Sequence, residues 1–475
     1  MKRGVCAALL TAALLTAALS GPALAAEGAH LDGAQLGLIW ALPFAGMLLS
    51  IALFPLLAQH FWEHHFGKVS AFWAAMFLIP SAVLYGLSTT ATELVHTAAL
   101  EYLPFIILLF SLFVVAGGIR VAGNLAGNPA TNTSILAIGT LLASMVGTTG
   151  ASMLLIRPLI VANKNRARNV HVFVFFIFLV ANIGGSLTPL GDPPLFLGFL
   201  KGVDFLWTVE AMFAPMAVSA LILLSLFFAI DSYFWHQERH RRVAHPKERE
   251  VRIEGLHNVV YLAGIVGAVL FSGVWKPGIA VPVGFGNAMP LEGIARDVIL
   301  LAIAYMSLRT TRKNIRIENA FTWMPIQEVA LLFAGIFITI IPALAILRAG
   351  HDGALAALLA FVTGPDGQPI NAAYFWLTGA LSSFLDNAPT YLVFFNLAGG
   401  DAQTLMGPLF NTLLAISAGA VFMGANTYIG NAPNFMVKSI CEERGIRMPS
   451  FFGYMAWSGA NLLPLFVLLT FLFFW

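Results

Sequence analysis

Apolar stretches of about twenty residues recur along almost the whole chain, and this length is what a helix needs to cross the hydrocarbon core of a bilayer. Hydrophobic residues make up 59% of the chain and charged residues only 10%, which excludes a soluble globular protein. The sequence therefore predicts an all-α polytopic membrane protein with about ten transmembrane helices. The stretches lie at approximately 36–58, 70–88, 101–119, 170–200, 208–230, 257–274, 292–308, 325–349, 404–437 and 450–475.

Two further apolar regions carry a helix-breaking sequence near the middle and fit re-entrant hairpins, which enter and leave the membrane on one side. The first region, 132–162, is interrupted at 147–150, and the second, 354–400, is interrupted at 386–390. With the N-terminus outside and both regions as hairpins, most Lys and Arg residues fall in cytoplasmic loops, as the positive-inside rule requires. We therefore expect the first hairpin to open to the cytoplasm and the second to open to the periplasm.

The segment 184–194, GGSLTPLGDPP, breaks another apolar region with three glycines and three prolines. Proline removes a backbone donor and clashes with the preceding turn, so a helix cannot continue through this segment. Broken backbone at membrane depth is tolerated only inside protein or beside a water-filled cavity. The segment 424–436, GANTYIGNAPNFM, aligns with it at an offset of 430 − 191 = 239 residues. Ser144 and Ser383, in the two hairpins, are separated by the same offset.

Two pairs of broken regions that share one offset indicate an internal repeat, with 26–234 as the first transmembrane unit and 257–475 as the second. Each unit contains five crossings and one hairpin, and an odd number of crossings inverts the second unit relative to the first. The basic segment 235–256 joins them as a cytoplasmic surface linker and not as a nucleic-acid-binding patch. Residues 1–25 have the basic start, apolar stretch and A-x-A site of a signal peptide, with an uncleaved first helix as the alternative. A cleaved signal would place the mature N-terminus in the periplasm of a Gram-negative-like cell, and we expect the protein in the bacterial inner membrane.

Polar residues concentrate at the hairpin tips and in the two broken segments. In inverted-repeat transporters such segments meet near the middle of the bilayer, where helix ends and freed carbonyls coordinate small cations. Because acidic residues at membrane depth are costly and mark functional sites, we predict that Asp192 and Asp386 bind the transported ion. The alternatives are a loop or helix-cap role for Asp192 and a helix-cap role for Asp386. The other candidate ligands are hydroxyl and amide side chains of the same segments: Asn387, Thr390, Thr148, Thr149, Asn182, Ser186, Thr188, Asn426, Thr427 and Asn431.

Charged residues elsewhere give weaker signals. Arg157 follows the first hairpin tip and is either an anion anchor or a positive-inside residue whose side chain reaches the interface. Glu93, His96 and Glu101 follow the predicted crossing 70–88, and we expect them in a periplasmic loop.

One motif resembles that of an enzyme. His60, Glu63 and His64 fit H-x-x-E-H, an inverted zinc-protease pattern. No obvious further ligand follows it, and histidine and aromatic residues are ordinary at a membrane boundary. We therefore expect a protein that is not an enzyme and that uses no cofactor.

The sequence ANIGG at 181–185 followed by GDPP at 191–194, together with DNAPT at 386–390 and GANT at 424–427, resembles the ion transporter superfamily. This group includes NhaD-type sodium/proton antiporters, arsenite permeases, citrate carriers and divalent-anion/sodium symporters. The resemblance extends over nearly the whole mature chain. It implies a homodimer in which a mobile transport domain moves against a scaffold, with the ion site at the hairpin tips and unwound segments.

The hairpin tips depart from one branch of that superfamily. Divalent-anion carriers have Ser-Asn-Thr at both tips, whereas this chain has Gly-Thr-Thr at 147–149 and Asp-Asn-Ala at 386–388. A fixed carboxylate at a tip attracts a cation and repels a carboxylate substrate. We therefore expect sodium/proton antiport first, with sodium or lithium and the proton as the transported ions. The alternatives are a sodium- or proton-coupled carrier of citrate or another organic anion, and an arsenite-type exporter.

Overall fold

The computed structural model describes residues 30–238 and 249–475, and these ranges fold almost entirely into helices. The predicted signal peptide, 1–25, lies outside the described residues. Within them, nine helical stretches are long and apolar enough to cross a membrane. The prediction of an all-α polytopic membrane protein is therefore confirmed.

In the first half, a π-helical turn, Ala98–Tyr102, joins two helices into one apolar stretch that runs from Leu87 to Ala116. Glu93, His96 and Glu101 lie on this stretch, so the prediction of a periplasmic loop there is wrong. The helix continues through them because the π-helical turn connects the two helices directly. The elements are α1 (Leu42–Leu57), α2 (Gln59–Leu84), α3 (Leu87–Thr97), α4 (Leu103–Ala116), β1 (Arg120–Asn124), α5 (Pro129–Val146), α6 (Thr148–Asn163), α7 (Val170–Leu179), α8 (Pro193–Leu200) and α9 (Phe205–Gln237).

The second half follows a similar course. Its elements are β2 (Arg249–Glu254), α10 (His257–Val274), β3 (Ala280–Gly284), β4 (Asn287–Pro290), α11 (Leu291–Thr310), α12 (Lys313–Glu318), α13 (Met324–Arg348), α14 (Ala356–Val362), α15 (Asn371–Phe384), α16 (Asn387–Leu397), α17 (Ala402–Met406), α18 (Phe410–Met423), α19 (Ala432–Glu443) and α20 (Phe451–Leu469). Helix α11 covers the predicted crossing 292–308 but is not among the nine apolar stretches. Its charged residues explain the difference, since they lower its mean hydropathy: Glu292, Arg296, Asp297 and Arg309.

Both interrupted regions consist of two helices separated by a short break. Gly147 alone separates α5 from α6, and its φ of 81° is a conformation that glycine adopts without strain. Leu385 and Asp386 separate α15 from α16. The second helix pair occupies only 371–397 of the predicted hairpin 354–400, because α14 and a β-bridge between Thr363 and Pro369 precede it. The side of the membrane to which each pair opens stays a prediction.

Helix starts in the two halves occur at the same sequence interval as the motifs. Helices α6 and α16 begin at Thr148 and Asn387, and α8 and α19 begin at Pro193 and Ala432. Both differences equal 239 residues, since 387 − 148 = 432 − 193. The aligned motifs thus occupy equivalent places, whereas the boundaries of the two units and their inversion in the membrane stay predictions.

The predicted linker 235–256 is structured at both ends. Its first residues complete α9, and its last residues form β2, which pairs antiparallel with β1. Arg120 Nη1 on β1 lies 3.0 Å from Glu254 Oε2 on β2. The linker is therefore attached to the first half by a small sheet.

Helices α7 and α18 lie in the core of the molecule. Every residue from His171 to Leu179 is buried, and so is nearly all of α18. By contrast, large apolar side chains such as Leu57 and Val274 are 78% and 86% exposed, as expected of a surface in contact with lipid. The broken backbone that follows each core helix is thus enclosed by protein, which is the condition for such breaks at membrane depth.

Candidate functional site

Two crossed loops form the centre of the candidate site. After α7 the chain passes through a short 3₁₀ segment, Ile183–Leu187, and after α18 through another, Gly424–Asn426. In each loop the backbone then passes close to its own earlier residues, and a glycine lies at this point of close approach. A Cβ on Gly191 would lie 2.1 Å from the carbonyl oxygen of Gly185, and one on Gly430 would lie 2.5 Å from that of Gly424. Only glycine fits at these two crossings.

Each hairpin tip is tied to the adjacent loop by a matching hydrogen bond. Thr188 Oγ1 donates to the carbonyl of Ser144, and Thr427 Oγ1 donates to the carbonyl of Ser383 at 2.5 Å. All four residues belong to pairs separated by 239 positions. Thr188 and Thr427 therefore hold the backbone of the loops against the tips, and their binding of an ion stays a prediction.

Asp192 lies where the two hairpin tips meet the two loops that follow α7 and α18. It is only 2% exposed. Its Oδ1 accepts hydrogen bonds from Thr148 Oγ1 at 3.1 Å and from Asn431 Nδ2 at 3.3 Å. Its Oδ2 accepts a hydrogen bond from Asn387 Nδ2. Although Asp192 occupies the N-cap position of α8, its side chain does not cap that helix. Its carboxylate instead links residues that are far apart in the sequence.

Asn431 is the counterpart of Asp192 in the second half. Its Nδ2 donates to Asp192 Oδ1, to the Asn182 side-chain oxygen at 3.2 Å and to the carbonyl of Ala181 at 3.2 Å. Asn182 Nδ2 in turn donates to Asn434 Oδ1 at 2.7 Å. The contact between the two loops is therefore made by amides around a single carboxylate.

Asp386 occupies a different position from Asp192. Its side chain accepts a hydrogen bond from the backbone N–H of Ala388 at 3.1 Å, so it caps α16 as the alternative interpretation predicts. It also lines the same cavity as Asp192, Thr149 and Asn431, which has a volume of about 90 Å³. Lysine, arginine and histidine are absent from the described residues that line this cavity. The prediction that Asp192 and Asp386 bind an ion together stays a prediction.

Three further candidates hydrogen-bond to nearby groups. Ser186 Oγ donates to the carbonyl of Ile183 at 2.8 Å, and Thr390 Oγ1 donates to that of Asp386 at 3.0 Å. Asn426 Nδ2 donates to Ser383 Oγ at 2.9 Å. These three side chains therefore satisfy neighbouring polar groups of the loops and tips.

Two buried amide oxygens near the tips have no hydrogen-bond partner among the described residues. They are Asn387 Oδ1 and Asn426 Oδ1. A buried acceptor without a partner costs free energy, so such a group in a folded protein requires an explanation. Asn387 already donates to Asp192, which leaves its oxygen available as a ligand next to that carboxylate.

Sequence reasoning missed a second buried carboxylate, that of Asp231 on α9. Arg166 Nη1 lies 2.5 Å from Asp231 Oδ1, and His171 Nε2 lies 2.8 Å from the same oxygen. Asn132 Nδ2 donates to Oδ2 at 2.9 Å. The available signal was an acidic residue at the end of the apolar stretch 208–230. With a cation beside it, this carboxylate holds the outer ends of α5, α6, α7 and α9 together.

The three residues of the H-x-x-E-H motif lie close together at the start of α2. His60, Glu63 and His64 are exposed, and their possible ligand atoms lie within 4.8 Å of one another. His64 Nδ1 is 2.9 Å from the carbonyl oxygen of His60, which leaves Nε2 free. Zinc chemistry at this exposed cluster stays a hypothesis.

Paired helix breaks buried in a polytopic helical protein are the architecture of secondary transporters. Over residues 33–474 the chain matches the family described as "Putative citrate transport". The match covers nearly the whole chain, so the protein belongs to this family of transporters. A comparison with curated proteins found no match. Family membership supports a multi-pass transporter of the citrate-transporter-like group and leaves the narrower NhaD-type assignment as a hypothesis.

Proposed function

We propose that the protein is a secondary active transporter that exchanges sodium or lithium for protons at Asp192. The observation that supports this function best is a buried carboxylate held only by neutral donors: Thr148, Asn387 and Asn431. Carboxylate, amide and hydroxyl oxygens are the ligands that hard cations prefer. The unpartnered Asn387 Oδ1 supplies a further oxygen beside the carboxylate.

Competition for one carboxylate would couple the two ions. A buried carboxylate that no neighbouring cation neutralises favours binding of either a proton or a metal ion, because an isolated charge is costly in a low-dielectric site. If both ions use Asp192, each turn of the transport cycle moves one in place of the other. Asp386 lines the same cavity and adds negative charge that attracts cations.

The size of the cavity also favours a small ion. Its volume of about 90 Å³ is smaller than the roughly 150 Å³ cavity that holds benzene in an engineered protein. Citrate is larger than benzene and carries three carboxylates, which Asp192 and Asp386 would repel. A sodium ion with a few water molecules fits both the volume and the charge.

The second candidate is a cation-coupled carrier of citrate or a similar anion, which the family match favours. In this case a bound cation or proton would neutralise Asp192 first. The donor groups of Thr148, Asn387 and Asn431 would then be available to carboxylate oxygens. This function requires the cavity to widen during transport.

A pH-sensitive dye in everted membrane vesicles distinguishes the two functions. Pulses of sodium, lithium and potassium chloride, followed by a sodium-free citrate salt, are added to vesicles with an established pH gradient. We expect sodium or lithium to dissipate the gradient in wild-type vesicles and to have no effect in Asp192→Asn vesicles. Asp366→Asn is the matched control, since Asp366 is exposed in a loop and its side chain accepts only a local backbone hydrogen bond.

A wild-type protein that responds to none of the cations would contradict antiport. A citrate-dependent signal in the same vesicles, together with uptake of labelled citrate by cells, would establish the anion carrier instead. Equal amounts of wild-type and variant protein in the membrane are required for either conclusion.

A further inference from the structure

A second cavity, of about 210 Å³, lies at the outer end of the first hairpin. It is lined by residues of α6 and β1, by the end of α12 and the residue after it, and by the residue that follows α19. It shares no lining residue with the cavity at Asp192. Arg157 lines it and lies nine residues after Thr148, roughly 14 Å farther along α6 at 1.5 Å per residue.

The charge of this cavity is positive. Arg120, Arg157 and Arg444 line it, and Glu318 is its one acidic lining residue. Arg120 is already neutralised, because its Nη1 pairs with Glu318 and with Glu254. Arg157 and Arg444 are thus left as two cations without an ion pair among the described residues.

Arg157 is the more unusual of the two cations. Its Nε and Nη1 are buried and have no hydrogen-bond partner among the described residues. Two neighbouring charges act on it in opposite senses: Arg444 repels the guanidinium charge of Arg157, and Glu443, which does not line the cavity, attracts it. Charged donors that are buried without a hydrogen-bond partner destabilise the folded protein, so they require an explanation. An anion between the two guanidinium groups would satisfy the donors and remove the repulsion.

We propose that this cavity is a binding site for a compact multivalent oxyanion, held by Arg157 and Arg444. Guanidinium groups bind phosphate and carboxylate oxygens through pairs of parallel hydrogen bonds, which favours these two anion types. The volume of about 210 Å³ exceeds that of a benzene-sized cavity and admits inorganic phosphate, a tricarboxylate or the phosphate of a lipid headgroup. The inference is independent of the function proposed for Asp192.

The site is tested by direct binding to the purified, full-length protein in detergent after removal of lipid. Calorimetric titration with inorganic phosphate, and in parallel with citrate, gives the dissociation constant. We expect saturable binding to the wild-type protein and a dissociation constant at least about tenfold higher for Arg157→Gln and for Arg444→Gln, since a charge-assisted hydrogen bond contributes about 1.5–3 kcal/mol. Arg444 is exposed, so its variant tests the site even if Arg157→Gln does not fold.

Arg447→Gln is the matched control. Arg447 lies three residues beyond Arg444, is exposed and does not line the cavity, yet its substitution changes the net charge equally. We expect its dissociation constant to stay within about twofold of the wild-type value, as for an isolated surface charge. An equal loss of binding in Arg447→Gln would overturn the proposal, because the effect would then be one of net charge.

The source of the anion is decided in nanodiscs. If a headgroup is the ligand, native mass spectrometry will find phosphatidylglycerol bound to the wild-type protein and to Arg447→Gln. It will find none bound to Arg157→Gln, and added phosphate will displace the lipid from the wild-type protein. If a dissolved anion is the ligand, phosphate will bind equally in nanodiscs with and without phosphatidylglycerol. The absence of both saturable anion binding and retained anionic lipid would refute the site.

Discussion

Two buried aspartates in this protein differ in the groups that surround them. Asp231 is paired with Arg166 and next to His171, so its charge is neutralised within the fold. Asp192 accepts hydrogen bonds only from a hydroxyl and two amides. The first arrangement stabilises helix ends, whereas the second leaves a charge that a transported ion can neutralise. Charge pairing, and not burial alone, therefore separates the structural carboxylate from the functional candidate.

The equivalent positions 192 and 431 have opposite hydrogen-bond roles, since Asp192 accepts where Asn431 donates. We predict that the single variant Asp192→Asn loses the response to cations. The double variant Asp192→Asn with Asn431→Asp, in which the two side chains are exchanged, should not recover it. Asn431 Nδ2 donates to Ala181 O and to Asn182 Oδ1, and a carboxylate at 431 would place an acceptor against both. The measurement is the sodium-dependent change in dye fluorescence in everted vesicles.

Asn431→Asp alone is the control for that exchange, and it should reduce the response for the same reason. Full recovery of sodium-dependent exchange in the double variant would show that the surrounding amides rearrange freely. The carboxylate would then be functional on either loop.

At the scale of elements, the loops between the broken helices are held by close approaches of one backbone segment to another. Thr148 N donates to the carbonyl of Gly191 at 2.9 Å, so the first hairpin tip is docked on the loop at its crossing point. Gly191 and Gly430 have the same role in the two halves. The loops therefore position Asp192 and Asn431, which follow these glycines directly.

We predict that Gly191→Ala and Gly430→Ala will each abolish transport and lower the thermal unfolding midpoint in detergent. A Cβ would lie 2.1 Å or 2.5 Å from a backbone oxygen, and overpacking of this kind costs about 1–3 kcal/mol or more because backbone must move. Gly267→Ala on α10 is the control, since no heavy atom lies within 4 Å of its added Cβ. A wild-type unfolding midpoint and normal transport in Gly191→Ala would show that the crossing has room to relax.

At the scale of the whole molecule, an ion pair connects the broken helix to the outer helices. Lys201 Nζ, directly after α8, pairs with Glu101 Oε1 on the π-helical turn between α3 and α4. The two side chains are 16% and 8% exposed. Because α8 begins next to Asp192, this pair holds the far end of the helix that carries the candidate site.

We predict that Glu101→Gln will lower the free energy of unfolding by about 2–3 kcal/mol, because it leaves the mostly buried Lys201 without a partner. Adding Lys201→Gln should recover part of the loss, since no unpaired charge then remains. Denaturant unfolding of the four proteins of this double-mutant cycle measures the coupling. The exposed pair of Lys438 and Glu442 is the control, and its removal should cost less than about 1 kcal/mol. Equal losses for the two pairs would show that the Lys201 pair is solvated.

The homodimer and the movement of a transport domain against a scaffold stay expectations from the resemblance. The family match does not bear on either of them, since it concerns the family of the chain and not its assembly or motion.

Much of the candidate site could be predicted from the residues alone. Asp192 and Thr148 were identified because polar residues beside helix breakers are rare in apolar sequence, and the 239-residue offset related them to Asn431 and Asn387. The structure adds that Asn387, the neighbour of Asp386, hydrogen-bonds to Asp192, whereas ion binding by Asp192 and Asp386 stays a prediction. Adjacent residues at a helix start point about 100° apart, so a pattern that locates a helix end does not decide which of two neighbours faces the site.

The sequence by itself determined that the chain is a polytopic helical membrane protein, where its helices break and at what interval the breaks recur. These features depend on local composition, since apolar length and Gly or Pro content act within one segment. Tertiary structure alone decided which polar groups meet: Asn387 with Asp192, Asp231 with Arg166, and Lys201 with Glu101. Their partners lie 65 to 195 positions away (231 − 166 and 387 − 192), and such contacts exist only once the helices have packed.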